Sequence, residues 1–245
     1  MRTRGILSIA IIAILLGSLI PITNDIELDD VEDKFFANSE PEILIQAGTA
    51  TGHVNGTGIG ATPNGWIVAG DTRNSLTFGS TQLQATSPYN TQLDADTYVA
   101  AMDEQGNWLW AVMPDATQGL LLMQTMEVTM AGDAYIAGLI FGTVIFGSQP
   151  SSPALTGTNG AGDGFIAKID QTGQWVWATS FDTAGGTGNF SLITGVAETF
   201  NGNVIVSGLH QGTTDFGGIT EISPDDELFL VELDRNAGAT NWAVT

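Results

Sequence analysis

Residues 160–178 read GAGDGFIAKIDQTGQWVWA. Phe165, Ala167 and Ile169 alternate with Ile166 and Lys168, the period of two that puts successive side chains on opposite faces of a strand. Asp170 to Gly173 interrupts that pattern with turn-forming residues. Trp175 to Ala178 resumes it, so the stretch is two strands joined by a short turn containing Gly. The same order of residues occurs twice more. DTYVAAMD ends at Asp103 and is followed by Gly106 and Trp110-Ala111; ELFLVELD ends at Asp234 and is followed by Gly238 and Trp242-Ala243.

Two further landmarks precede each copy. Gly70, Gly138 and Gly208 close the apolar runs WIVAG, YIAG and VIVSG, and eight residues later comes Phe-Gly, at Phe78, Phe146 and Phe216. Five landmarks in constant order define three units, at about 55–112, 122–179 and 191–244. A motif recurring at this interval marks a repeat architecture, whose units bury their apolar faces only against one another.

Each unit is expected to hold four short strands. Asn64-Gly65 and Asn201-Gly202 suit type I′ hairpin turns, whose positive φ angles favour that pair; Ala131-Gly132 stands at the same place in unit two. The third strand puts Tyr98, Ala100 and Met102, or Phe165, Ala167 and Ile169, or Phe229, Val231 and Leu233, on one apolar face, the pattern of a half-buried strand. No stretch beyond residue 42 has helical period, so the fold class is all-β. Small four-stranded sheets with two apolar faces pack around an axis, so the expected architecture is a β-propeller of three antiparallel blades, with a pair of β-sandwiches as the alternative. The recurring Trp is expected to fill the gap between neighbouring blades.

The pattern of residues 160–178 resembles the SBBP repeats, a bacterial and archaeal β-propeller repeat family, and the three units carry the likeness over residues 55–244. Unit three departs from it, with Glu227 in place of Asp and Thr240 in place of the first Trp. The resemblance implies a propeller, often of about seven blades, in surface or secreted proteins, and no defined reaction. Asp234, Gly238 and Trp242 are also similar to the tryptophan-docking motif of quinoprotein-type propellers; units one and two have one residue fewer between Asp and Gly. Propellers close with about four to eight blades. Three units therefore predict an open arc and a fragment of a longer propeller covering 43–245, with Glu42–Ala47 as a lone strand before unit one.

The start of the chain gives an address. Arg2 and Arg4 precede the apolar run Ile6–Ile20, which Pro21 ends, the pattern of a secretory signal. Gly5 to Ile22 would make about 27 Å of helix, near the lower limit for a membrane span, so 1–24 is read as a signal peptide or an uncleaved membrane anchor. Both Arg precede it and all 27 acids follow it, which places the bulk of the chain outside the cytoplasm, secreted or anchored to the outer face of the membrane. Residues 25–42 hold eight acids and Lys34 and read as an acidic linker. A net charge of −21 excludes nucleic acid as a partner and suggests adaptation to salt water. With no Cys, disulfides and thiolate chemistry are excluded.

Catalytic patterns are missing. There is no G-x-S-x-G, H-E-x-x-H or P-loop pattern. His53 and His210 are read as exposed loop residues, and the Gly-rich Asn55–Gly60, with Ala61 where the last Gly of G-x-G-x-x-G would stand, as a turn. Asp96, Asp163, Asp103, Asp170 and Asp234 recur by unit, which argues for accepting backbone N–H groups at turns rather than for a catalytic pair in two environments. Calcium at these turns is the one candidate ion. Asp115 and Asp182 are the acids of the unit-specific segments, and Asn55-Gly56-Thr57 and Asn189-Phe190-Ser191 fit the N-glycosylation triplet. No catalytic, cofactor-binding or metal residue is assigned. The expected function is a non-enzymatic exported propeller that binds an extracellular ligand, glycan or protein or serves as a surface scaffold, with membrane contact only through the N-terminal segment. The alternative is a glycan-hydrolysing or quinoprotein-like propeller enzyme.

Overall fold

The computed structural model describes residues 54–87, 96–158, 160–184 and 188–245. Contacts divide the chain into Met1–Leu44 and Ile45–Thr245, and every described residue belongs to the second part. The signal or anchor at 1–24, the acidic linker, the strand at 42–47 and His53 lie outside the described residues. Among the described residues, no helix is long and apolar enough to cross a membrane.

The described chain is all-β. Unit one contains β1 (Val54–Thr62), β2 (Gly65–Thr72), β3 (Ser75–Phe78), β4 (Thr81–Gln84), β5 (Asp96–Asp103) and β6 (Trp108–Val112). An antiparallel sheet runs β1-β2-β5-β6, and β3 and β4 form a hairpin of their own. Unit two contains β7 (Asp115–Val128), β8 (Ala134–Ile145), β9 (Ala154–Gly157), β10 (Asp163–Ile169) and β11 (Trp175–Ala184). Unit three contains β12 (Phe190–Glu198), β13 (Val204–Asp215), β14 (Thr220–Leu233) and β15 (Thr240–Val244).

The separate blades of a propeller are not formed. Units two and three share one nine-stranded sheet, on the path β15-β14-β13-β11-β10-β8-β7, with β12 on β13 and β9 on β8. The join is where Asp182, Thr183 and Ala184 pair with Asp215, Thr214 and Thr213. Among the described residues no sheet closes into a barrel or propeller. The landmarks at Gly138, Gly208 and Trp177-Ala178 do not end their strands: β8, β13 and β11 run on for six or seven residues, and the polar tails of β11 and β13 meet through backbone hydrogen bonds. The blade-count argument for a fragment falls with the propeller.

Sheets stack face to face instead. Ile67, Ala69, Val99 and Ala101 of the first sheet join Ile136, Ile140 and Phe165 of unit two in one core. The other side of unit two, with Tyr135, Ile166 and Trp177, meets Val204, Phe229 and Leu233 of unit three. A third core, around Leu76, Phe78 and Tyr98, lies between the β3–β4 hairpin and the outer side of the first sheet. Covered on both sides, β10 is buried along its whole length, not on one face as the alternation suggests. The Gly-rich Asn55–Gly60 is likewise strand, part of β1, rather than a turn. A Cβ on Gly60 would lie 2.4 Å from Val128 Cγ2, so the missing side chains let β1 pack closely on β7.

The recurring glycines have a structural cause. A Cβ on Gly70, Gly138 or Gly208 would lie 1.9, 2.1 or 1.9 Å from the carbonyl oxygen of Asn55, Leu122 or Leu192, beside a register shift in the neighbouring strand. The bulged strand presses its backbone onto the glycine, where no side chain fits. The type I′ turns are not formed, because among the described residues only glycines have positive φ. Thr199 N–H bonds Asn203 and Gly202 N–H bonds Thr199, with Gly202 at φ +83°; Thr129, Asp133 and Gly132 repeat this at +91°. Only the glycine of the pair needs the left-handed region, so Ala131-Gly132 makes the same turn as Asn201-Gly202.

Candidate functional site: the tryptophan joints between units

Each unit presents a turn that begins with the recurring Asp. Asp103 Oδ1 accepts the backbone N–H of Gln105 at 3.0 Å and of Asn107 at 2.7 Å. Asp170 Oδ1 accepts those of Thr172 and Gln174 at 2.8 and 3.0 Å, and Asp234 Oδ1 those of Asn236 and Ala237, both at 2.9 Å. The glycine N–H returns to the Asp carbonyl in all three turns, across 3.1, 3.0 and 2.9 Å. Hydrogen bonds from Asn107 hold the Asp103 carboxyl below its ordinary range. Asp170 is also lowered: its slight burial acts upward, and its bonds from Thr172 and Gln174 outweigh that.

The Trp of one unit docks on the turn of the next. Trp110 Nε1 donates to the carbonyl of Gln171 at 2.9 Å, and Trp177 Nε1 to that of Arg235 at 3.0 Å. In both cases the acceptor immediately follows the turn Asp. The indoles lie over the turn glycines: a Cβ on Gly173 would be 2.8 Å from Trp110 Cδ2, and one on Gly238 2.5 Å from Trp177 Cε3. Lys168 strengthens the second joint, with Nζ 2.8 Å from Asp133 Oδ2, 3.2 Å from the Arg235 carbonyl and 5.7 Å from the centre of the Tyr135 ring. Burial, with Glu198 and Asp133 nearby, pushes the Tyr135 hydroxyl up to about 12. Trp242, the third of the series, pairs with Glu232 in the β14–β15 ladder but is 38% exposed, and its indole Nε1–H has no hydrogen-bond partner among the described residues.

The Phe-Gly landmark is a second recurring contact. Phe78 meets Trp108 edge-on at 4.7 Å and Phe146 meets Trp175 at 5.2 Å. In unit three, Thr240 replaces that Trp and its hydroxyl donates to the Phe216 carbonyl at 2.5 Å.

The remaining candidates serve the backbone. Asp163 is fully buried, with Oδ2 accepting Thr158 N–H and Oδ1 accepting Thr183 N–H, each at 2.8 Å. Asp96 Oδ2 accepts the N–H of Thr86 and, at 3.0 Å, of Ser87, while its buried Oδ1 has no partner among the described residues. Burial pushes the Asp96 carboxyl above its ordinary value, against the hydrogen bonds from Thr86 and Ser87. Asp115 accepts Thr117 N–H at 2.9 Å and Asp182 accepts Ser180 Oγ–H at 2.7 Å. Ser191 of one glycosylation triplet is buried, its hydroxyl donating to Phe181 at 2.5 Å.

His210 is not an exposed loop residue. It lies on β13, fully buried, with Nδ1 3.0 Å from Thr214 Oγ1, its ring 5.2 Å from that of Phe216, and Nε2 without a partner among the described residues. The alternation of β13 continues past Gly208 and turns the imidazole inward. Burial pushes its pKa down, against the nearby Glu227 and Glu221.

Among the described residues no three His, Asp or Glu side chains gather as a cation would need. No protein-family model matches this chain, and no curated protein matches it. With the sheets stacked and unclosed, binding through propeller loops loses its structural basis, and so does a propeller enzyme.

Proposed function

We propose that the chain is a non-catalytic structural β-repeat protein working outside the cytoplasm. The observation that carries this reading is the use of the acids: Asp103, Asp170 and Asp234 each hold the N–H groups of their own turn. These turns support the indoles of the neighbouring unit at Gln171 and Arg235. A general acid or base needs a carboxylate free to exchange its proton with a substrate; all three are engaged by backbone N–H groups, and in Asp103 and Asp170 those bonds hold the carboxyl below its ordinary value. The basic start and apolar run of residues 2–20 support export, as does the resemblance to SBBP repeats, whose members are surface or secreted proteins.

Thermal unfolding of Asp170→Ala and Asp170→Asn tests the structural role. Asn keeps the acceptor oxygen, so Asp170→Ala is expected to melt well below wild type and Asp170→Asn between the two, with no response to calcium or chelator. A midpoint that rises with calcium and falls with chelator would overturn the reading in favour of an ion site. Protease treatment of intact cells that express the chain tests export, which predicts digestion without lysis.

A further inference from the structure

We propose that the join between β11 and β13 is an acid-operated latch: protonation of His210 releases the tails of the two strands from each other, while the core between units two and three stays packed. The inference goes beyond the structural reading above and does not depend on it.

The join is short and lightly held. Among the described residues it is the only strand pairing between units two and three, and it consists of Asp182 with Asp215, Thr183 with Thr214 and Ala184 with Thr213. The first pair sets two carboxylates opposite each other, which works against pairing. The side-chain tie is the second pair. Thr183 and Thr214 are buried with their hydroxyls 3.0 Å apart, and Thr183 N–H donates to Asp163 Oδ1 of β10 at 2.8 Å.

His210 sits on this tie. The Thr214 hydroxyl that meets Thr183 also meets His210 Nδ1 at 3.0 Å, so a chain of bonds runs from the imidazole across the join. The Phe181 ring of β11 lies 5.2 Å from that of Phe216, which follows β13, and the imidazole lies 5.2 Å from Phe216 as well. A neutral imidazole fits there: Nδ1 shares its bond with Thr214, and Nε2, without a partner among the described residues, keeps a bare lone pair. An imidazolium does not fit, because both nitrogens then donate and the Nε2–H is buried with no acceptor among those residues. To reach water the ring must let go of Thr214 and of Phe216, and the tie across the join goes with it.

The charged groups around the ring set the direction of the switch. On β14, Glu227 is paired with His210 and Glu221 lies further along the strand; both favour the imidazolium, and Glu227 is exposed, so it draws the charged ring toward water. β11 brings Asp182, opposite Asp215 of β13, and β10 brings Asp163, which reaches the tie through Thr183. β12 brings the uncharged Ser191, paired with His210, and residues 185–187 read GGT and add no ionisable group. Burial outweighs the two Glu and keeps the ring neutral near pH 7, with the latch closed.

Hydrogen–deuterium exchange of the full chain tests the latch, read on peptides covering 180–184 and 211–215 and corrected for the intrinsic pH dependence of exchange. Opening carries the ring to water, where its pKa is the ordinary 6.5, so the opening constant is expected to rise by up to about eightfold between about pH 7 and about pH 5.5. Peptides from β10 are expected to be at least about tenfold better protected throughout, since they exchange only on wider unfolding. His210→Gln, which takes up no proton, is expected to show no rise at the join. Equal protection of the join and β10 would overturn the inference, because the two strands would then part only when the whole chain unfolds. A rise that persists in His210→Gln, or no rise in the wild type, would overturn it too. Where His210→Gln does not fold, the imidazole resonances of His210 in the wild type, told from those of His53 by His53→Gln, take its place. The rise must level off at the pH where those resonances titrate, and levelling at any other pH overturns the inference.

Discussion

Trp177 and Arg235 are 58 residues apart in sequence, yet the indole Nε1–H of one donates to the backbone carbonyl of the other at 3.0 Å. The joint combines that bond with burial of nearly the whole ring over Gly238. Replacing Trp177 by Ala should cost about 3–5 kcal/mol, the range for a large buried aromatic. Trp177→Phe should lose mainly the hydrogen bond, about 1 kcal/mol. Trp110 is half-buried and should lie below Trp177, while Trp242→Ala should change stability by less than about 0.5 kcal/mol, as for an exposed site. Urea midpoints of the three alanine variants check this order; equal effects at positions 177 and 242 would contradict it.

Asp163 and Asp96 occupy equivalent places but differ in how they are satisfied. Both oxygens of Asp163 accept backbone N–H groups, so Asp163→Asn turns an amide N–H₂ toward a donor and should cost about 1–3 kcal/mol. Among the described residues Asp96 Oδ1 has no donor, so an amide there meets none of them and Asp96→Asn should be milder. Burial holds the folded Asp96 pKa above 3.8, so its ionisation works against folding: the stability linked to it is full below 3.8 and lost as pH rises through the folded value. Asp96→Asn removes that loss. Its stability relative to wild type should therefore increase across the acid range, which paired urea titrations would show.

Much of this was legible in the sequence, but only where side chains carry the signal. The all-β class follows from alternation, whereas the contact of Phe146, a landmark of the repeat, with the Trp175 ring is visible only in the structure. The recurrence of Gly70, Gly138 and Gly208 was visible, whereas its cause lies in the bulge of a partner strand. The join of β11 to β13 has no sequence signal. Its pairs, Asp182 with Asp215 and Thr183 with Thr214, form through backbone groups that every residue possesses. That join is what turns expected blades into one continuous sheet. His210 departs from the loop reading because β13 runs past Gly208, with Leu209, His210 and Gln211 keeping its period.

Lys168 is buried on β10, where unit one has Ala101 at the equivalent position. Its partner Asp133 is 23% exposed, so it turns to water when the lysine is removed. The Arg235 carbonyl keeps its bond from Trp177. Lys168→Met should therefore cost no more than about 1 kcal/mol, well below the 3–5 kcal/mol of a fully buried pair broken on one side. A larger loss in the urea midpoint would mean that the ion pair, not the indole, holds this joint.

His210 sets a pH dependence of the same origin as that of Asp96, burial, but of opposite direction. Its imidazole is held below the ordinary value of 6.5 by burial between Phe216 and Phe229, while Glu227 and Glu221 act upward. Above pH 6.5 both folded and unfolded chains hold it neutral, and nothing is lost. As pH falls below that value the unfolded chain binds a proton that the folded chain resists, so stability declines until the folded pKa is reached. His210→Leu removes the site while keeping an apolar side chain among the aromatic rings. The variant forfeits the bond to Thr214, so it should be less stable than wild type near neutrality. Its further loss between about pH 7 and about pH 5.5 should be smaller than that of wild type, the difference isolating the histidine from the carboxylates that both chains share. Parallel slopes for the two proteins across that interval would show that position 210 does not titrate in the folded state as its burial requires.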